Sequence, residues 1–500
     1  MNEVVPTLTE AISRSLDAPI EAEVGYDVHT EFGAVLSGVG ISTDDIGGTV
    51  SFRGVDPIVP STLRLGAAAA IGLAAKSAAV AALWRDRTGS GQAIDVDLRT
   101  APHRLCPFYD RKWELINGHA PRTSSNPSQA LGFTFHRTAD GRWVMPLNPY
   151  PRIKIAAQKL LGTPDDAASV SDAISLWRGS ELEEAGADAG VVMPLVRTAH
   201  EFMALDQYRH FLADAPLVEV TPIGPAAAEP LHPRPASPLD GVRALGMGHV
   251  IAGAGTGRAL ALHGADVLNL WRPDELEHDS TYATANVGMR SAFLDIRSAE
   301  DHEKLRSLLA DADVFFANRR PGMLEHYGLS PEEAAELRPG IIYATNSLNG
   351  LRGPWARRVG FDQTAGSLVG MMTLEGGDGP PQLPPILVVN DYIVSWLTTM
   401  GIISALRRRA VDGGSYRVHV SLTRVALWIL SLGVFDREYA YATAGVDSDH
   451  AYLDPETFTA QTPLGLYQGV TDQVRMSATP GDYRHVLLPR GSCRPEWEAR

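Results

Sequence analysis

Two cysteines in 500 residues, Cys106 and Cys493, exclude a disulfide framework and a cysteine-ligated metal centre. No uncharged apolar run reaches the ~20 residues that a membrane span requires. The nearest, residues 67–83, is dominated by alanine and interrupted by Lys76, which predicts a buried helix. A surplus of basic residues is also missing. The net charge of −15 argues against nucleic acid as the main partner. The opening MNEVVPTLTEAISRS lacks the pattern of a secretory signal, so the cytoplasm is the expected location. What is present is a globular composition, 44% hydrophobic and 21% charged, in a chain too long for one ordinary core. That length predicts about two to four domains or one duplicated unit.

The most informative stretch is 383–422, LPPILVVNDYIVSWLTTMGIISALRRRAVDGGSYRVHVSL. A Pro-bounded apolar run ends in Asn390-Asp391, a helical pattern covers 392–409, Gly413-Gly414 stop it, and 416–422 alternate like a strand. Asp391 therefore stands at a helix N-terminus, where an aspartate is first of all a cap, and where unpaired amides and the helix dipole also favour negative charge.

The same order of elements occurs earlier: an Ala-rich helix from 61, a stop at Thr88-Gly89 and a strand at 93–98. Laid without gaps, 67–98 matches 391–422, with Leu73/Leu397, Ala81/Ala405, Arg85/Arg409, Gly89/Gly413, Val96/Val420 and Leu98/Leu422 coinciding. Ala67 occupies the place of Asp391.

Between these units, 101–224 reads as a smaller α+β unit, with Asp140-Gly141 as a hairpin turn between 133–136 and 142–145. Helices are predicted at 152–161, 165–177 and 201–212, and short strands near 191–196 and 217–220. Residues 225–237 are Pro-rich and read as a linker. From 238 strands at 242–247, 265–270, 314–317 and 341–346 alternate with helices at 253–263, 299–310 and 331–337, a parallel-sheet pattern. Residues 435–500 read as an irregular surface tail. Gly253-Ala-Gly255-Thr-Gly257 after the first of these strands is GxGxG rather than the dinucleotide GxGxxG, and the second strand ends at Trp271-Arg272 where a ribose-binding acid belongs. Small residues for close helix–strand packing are the plain alternative.

Several motifs together resemble the class III CoA-transferases, the formyl-CoA transferase, carnitine CoA-transferase and bile-acid-inducible group. They are RDRTGSGQAIDVDL at 85–98, PLVEVTPIG at 216–224, HVIAG at 249–253, NVGMRS at 286–291, NRRPG at 318–322, GPWARRVGFD at 353–362, and Asp391 itself. The resemblance implies an α/β fold: a near-Rossmann parallel-sheet large domain (238–434), a smaller α+β domain (101–224), and a partial degenerate large-domain repeat (1–100). It implies Asp391 as the nucleophile that carries CoA as an aspartyl thioester. It further implies CoA contacts from Ile251, Ala252, Arg272, Gly288, Met289, Arg290, Asn318, Arg319, Arg320 and His326, with Asp362 near the nucleophile. Acyl-CoA and a small carboxylic acid would be the substrates, with no metal and no permanently bound cofactor. The repeat suggests a homodimer or a monomer that mimics one.

Four departures from the family pattern bear on activity. Met289 replaces a lysine, Phe361 stands where racemising relatives carry a histidine, Ser395 and Trp396 suggest a bulkier approach to the nucleophile, and no Gly-rich covering loop is present. An acyl-CoA racemase or isomerase, or an inactive CoA-binding protein, are the alternatives; Phe361 removes one of the two bases that racemisation needs.

Overall fold

The computed structural model describes residues 6–22, 25–122 and 130–499; the first five residues of the stretch read for a signal lie outside them. In chain order the strands that build the site are β1 Val50–Arg53, β2 Ile94–Asp97, β3 Glu219–Gly224, β4 Arg243–Met247, β5 Asp266–Trp271, β6 Arg290–Phe293, β7 Val314–Ala317, β8 Ile342–Ser347, β9 Ser415–Ser421 and β10 Val474–Met476. The helices are α1 Leu65–Thr88, α2 Ala252–Leu262, α3 Asp362–Val369 and α4 Asp391–Asp412.

β3 to β9 form a seven-stranded sheet in the order β3-β9-β8-β7-β4-β5-β6. Every pairing is parallel except that of β3 with β9. The central strand β7, Val-Phe-Phe-Ala, is buried on both faces, as a strand covered by helices on each side must be. Strand order reverses between β4 and β7, so the loops after these two strands diverge and leave a crevice at their carboxyl ends. The loops are tied across it by Asn318, which accepts from the His249 amide at 2.8 Å and donates to the His249 carbonyl at 2.8 Å. The glycines that open α2 serve close packing. A Cβ on Gly253 would lie 2.2 Å from the Asn318 side chain, and one on Gly257 2.2 Å from Met289 Sδ.

A second, three-stranded sheet runs β1-β2-β10. It matches the β8-β9-β3 edge of the large sheet: Phe52 lies opposite Val96 as Asn346 lies opposite Val420, and β10 runs antiparallel to β2 as β3 does to β9. α1 and α4 lie side by side and run the same way, with Gly72 against Trp396 near their starts and Asp86 held by Arg407 near their ends. Both helices begin under a buried carboxylate. Asp56 accepts from the amides of Ile58, Gly66 and Ala67, and Asp362 from those of Val389, Asn390 and Asp391.

α1 is long and apolar enough to cross a membrane by length and composition, yet its residues 65–83 all lie buried in this chain. Lys76 at its centre pairs with Asp472, beside Arg104, Glu114 and Arg258. Asp472 belongs to the 435–500 stretch, which is therefore no surface tail. It holds a hairpin, Thr457–Thr462 with Gly465–Val470, that pairs with Leu115–Ile116, buries Tyr467 completely and supplies β10. Its irregular sequence hid this because its partners are distant in the chain.

In the smaller unit the Asp140-Gly141 hairpin is present, with His136–Arg137 paired to Trp143–Val144. The helix Gly179–Asp188 was not anticipated. Residues 191–196 make a single bridge, Val144 to Leu195, rather than a strand.

Candidate active site

Asp391 is 6% exposed at the first position of α4, after a loop rather than a strand. The three amides that precede and include it point at Asp362, at 3.1–3.2 Å from Val389 and 2.8 Å from Asp391 itself. No described residue donates to the Asp391 carboxylate. Burial pushes Asp362 up to about 6 even with these amides favouring its charge. Burial first, and then the charge of Asp362, raise Asp391 well above the ordinary carboxylate range. The pair therefore resists carrying two negative charges at once. Removing the Asp362 charge favours ionised Asp391, so Asp362→Asn is expected to move the acidic limb of a kcat/KM profile to lower pH. A limb that stays in place or moves up would contradict this arrangement.

Two cavities meet at Asp391. The larger, about 330 Å³, occupies the crevice between β4 and β7. Ala252, Arg272, Asn318, Arg319 and Arg320 line it, joined by Tyr150 and Arg152 of the smaller unit and by Arg358. Arg272 and Arg319 both pair with Glu275, and Arg358 with Glu183 and Glu184. Arg320 donates to the Gly190 carbonyl, and its pKa is lowered by burial and by the charge of Arg152. That mutual repulsion between guanidiniums is relieved by an anion, and forked guanidiniums suit phosphate.

The smaller cavity, about 110 Å³, also reaches Asp391 and is lined by Ile251, Asp362 and a set of apolar side chains. Tyr150 and Phe361 border both cavities, their rings stacked 6.0 Å apart at 17°. Val250 borders both as well and sits at φ +57°, a conformation a β-branched residue adopts only under constraint. Glu277 supplies the constraint by accepting from the Val250 amide at 2.9 Å and from the Tyr150 hydroxyl at 2.8 Å.

Four residues implied by the resemblance lie outside both cavities. Gly288 is covered by Tyr483 and donates to the Val486 carbonyl, and Met289 packs against Gly257 in the core. Arg290 is bound by Asp266 and the Glu496 carbonyl. His326 is exposed, edge-on to Tyr327. The 477–499 segment covers this side of the sheet, and nothing in the 286–291 motif foretold it.

Ser395 and Trp396 do not crowd Asp391. Ser395 Oγ donates to the carbonyls of Ile251, Ala252 and Asp391, and Trp396 faces α1. Tyr150, Arg152 and Glu277 escaped the reading of the sequence, whereas Arg358 lies in the motif at 353–362. Only Pro151, a helix-start residue, marked their neighbourhood.

Residues 239–482, the span that holds Asp362, Asp391 and the crevice, match the model for CoA-transferase family III. Over this span the chain is similar to that family. Among its curated relatives, acetyl-coenzyme A transferase nodX of Hypoxylon pulicicidum is 29% identical over 358 residues, covering 66% of this chain and 60% of that one. The alpha subunit of succinyl-CoA–L-malate CoA-transferase from Chloroflexus aurantiacus is 31% identical over 207 residues, 39% of this chain and 48% of the relative. A CAIB/BAIF family protein from Brucella suis, of solved structure, is 27% identical with a TM-score of 0.37 over 46% of this chain and 65% of that one. The chain spans less than two thirds of the length of either curated relative.

Proposed function

We propose that this protein transfers CoA from an acyl-CoA to a carboxylic acid through a thioester on Asp391. The observation that carries the reading is a buried carboxyl with no hydrogen-bond donor among the described residues, placed where an arginine-lined crevice meets a small apolar cavity. Asp391 attacks the thioester carbonyl, giving an aspartyl mixed anhydride and CoA thiolate. The thiolate attacks the aspartyl carbonyl, giving the Asp391 thioester and the free donor acid. The acceptor carboxylate then runs the same two steps in reverse. A desolvated carboxylate is a stronger nucleophile than a hydrated one, and binding of the CoA handle in the large cavity supplies the positioning.

The amides nearest the nucleophile are held by Asp362, and Tyr392 borders neither cavity. The helix-start amides of α4 are thus not available as oxyanion donors. We assign that role to the first amides of α2, at Ile251 and Ala252, which line the two cavities that reach Asp391. Phe361 supplies no proton-transfer group at the acyl side, which disfavours racemisation.

Each turnover by this route returns to Asp391 one oxygen from the acceptor acid. Turnover with an 18O-labelled acceptor is expected to place the label on the Asp391 side chain, read in its peptide by mass spectrometry. Transfer without label there would overturn the scheme. We further propose that the paired units around α1 and α4 are a duplication, in which Ala67 leaves the first unit without a nucleophile. The chain is then a monomer that mimics a dimer, and light scattering is expected to give the mass of one chain.

A further inference from the structure

We infer that the 110 Å³ cavity beside Asp391 is the acyl pocket, and that it selects short monocarboxylic acids with an apolar tail while rejecting dicarboxylic acids. This rests on the reading of Asp391 as the nucleophile. The two cavities differ sharply in charge. Among the described residues, five arginines line the large one, and neither arginine nor lysine lines the small one. Its wall is mostly apolar, with Phe108, Phe133, Leu147, Ile251, Phe361 and Val388 contributing. Its titratable groups are the acids Asp362 and Asp391, the Tyr150 hydroxyl, which donates to Glu277, and His278, whose burial favours the neutral ring.

A second carboxylate on the substrate would enter this wall without a cation and beside two acids. Such a charge is strongly disfavoured in a dry site. An apolar tail meets no such penalty and gains contact with the aromatic rings. The volume equals that of about four waters at ~30 Å³ each, which fits an acyl chain of about four carbons. The stacked Tyr150 and Phe361 rings border both cavities, so the length of chain accepted depends on Phe361.

The test compares butyryl-, succinyl- and octanoyl-CoA as donors to the full-length protein, following release of the free acid and the mass of Asp391. Butyryl-CoA is expected to exceed succinyl-CoA by about 100-fold or more in kcat/KM, the scale of discrimination that an unpaired buried charge produces. Phe361→Ala is expected to raise the octanoyl-to-butyryl ratio by about tenfold, the scale of one or two added methylenes in a pocket. Phe133→Ala, at a half-buried position, asks the same question should that variant fail to fold. Comparable rates with succinyl-CoA, or a chain-length ratio unmoved in a folded variant, would overturn the pocket assignment while an Asp391 adduct kept the nucleophile. No adduct with any of the three thioesters would overturn the nucleophile and the inference together.

Discussion

Replacing Asp391 by alanine lowers kcat/KM for CoA transfer by about 10⁴-fold or more, the loss seen when a covalent nucleophile is removed. No neighbour can substitute. Asp362, the nearest carboxylate, is held by three backbone amides and cannot reach a thioester without freeing them. The same change reveals what the site costs the fold. Asp391 has a raised folded-state pKa, so its contribution to stability is fully present below the unfolded value of ~4 and is lost as pH rises through the folded value. Asp391→Asn, which cannot ionise, is therefore expected to melt higher than the natural protein at pH 8. The difference should vanish near pH 4. A gain of ~1 kcal/mol corresponds to about 2 °C in a large chain. An inactive variant that is also less stable at pH 8 would contradict the placement of Asp391 in a buried, donor-free site.

The second large effect lies far from the chemistry. Asp472→Asn removes the one ionic partner that Lys76 has among the described residues and one of the two of Arg104; both cations are 1% exposed. Breaking a buried pair on one side costs about 3–5 kcal/mol, so the melting temperature is expected to fall by roughly 5 °C or more. Burial opposes the Asp472 charge, but Lys76, Arg104 and Arg258 outweigh it and hold the carboxyl below its ordinary range. Because its folded pKa is depressed, the stabilisation is present above pH ~4 and disappears as pH falls through the folded value. The penalty of the variant should shrink accordingly. Combining it with Lys76→Met should cost less than the sum of the two single changes, because each partner's loss removes the other's unpaired charge. Arg104 also lies 4.4 Å over the ring of Tyr392, the residue after the nucleophile, so some activity is expected to fall with stability. A melting temperature within 1 °C of the natural protein's would mean that this stretch is not part of the core.

What the sequence made legible follows from where information is local. The strand Val314–Ala317 and the helices Ala299–Ala310 and Pro331–Leu337 were readable to the residue, because apolar runs, caps and prolines mark their ends. Asp391, Arg272, Arg319 and Arg320 came from motifs at the start of α4 and at the ends of β5 and β7. Lys76 looked like an interruption of an apolar helix, because its partner is almost 400 residues away. Tyr150 and Glu277 were invisible for the same reason: their pairing across the crevice exists only after the smaller unit docks. The 286–291 motif misled because its residues face a segment, 477–499, whose own sequence gave no sign of packing there. Ser395 was read as bulk toward the substrate, whereas three carbonyl acceptors turn it toward α2.

The central claim is that Asp391 carries CoA covalently. The most direct test is the intact mass of the protein after mixing with a panel of acyl-CoAs, followed by trapping with hydroxylamine or borohydride and peptide mapping, beside Asp391→Ala. A modification at Asp391 that is absent from the variant is the predicted result. CoA binding with no covalent species across the panel, or a modification at another residue, would contradict it.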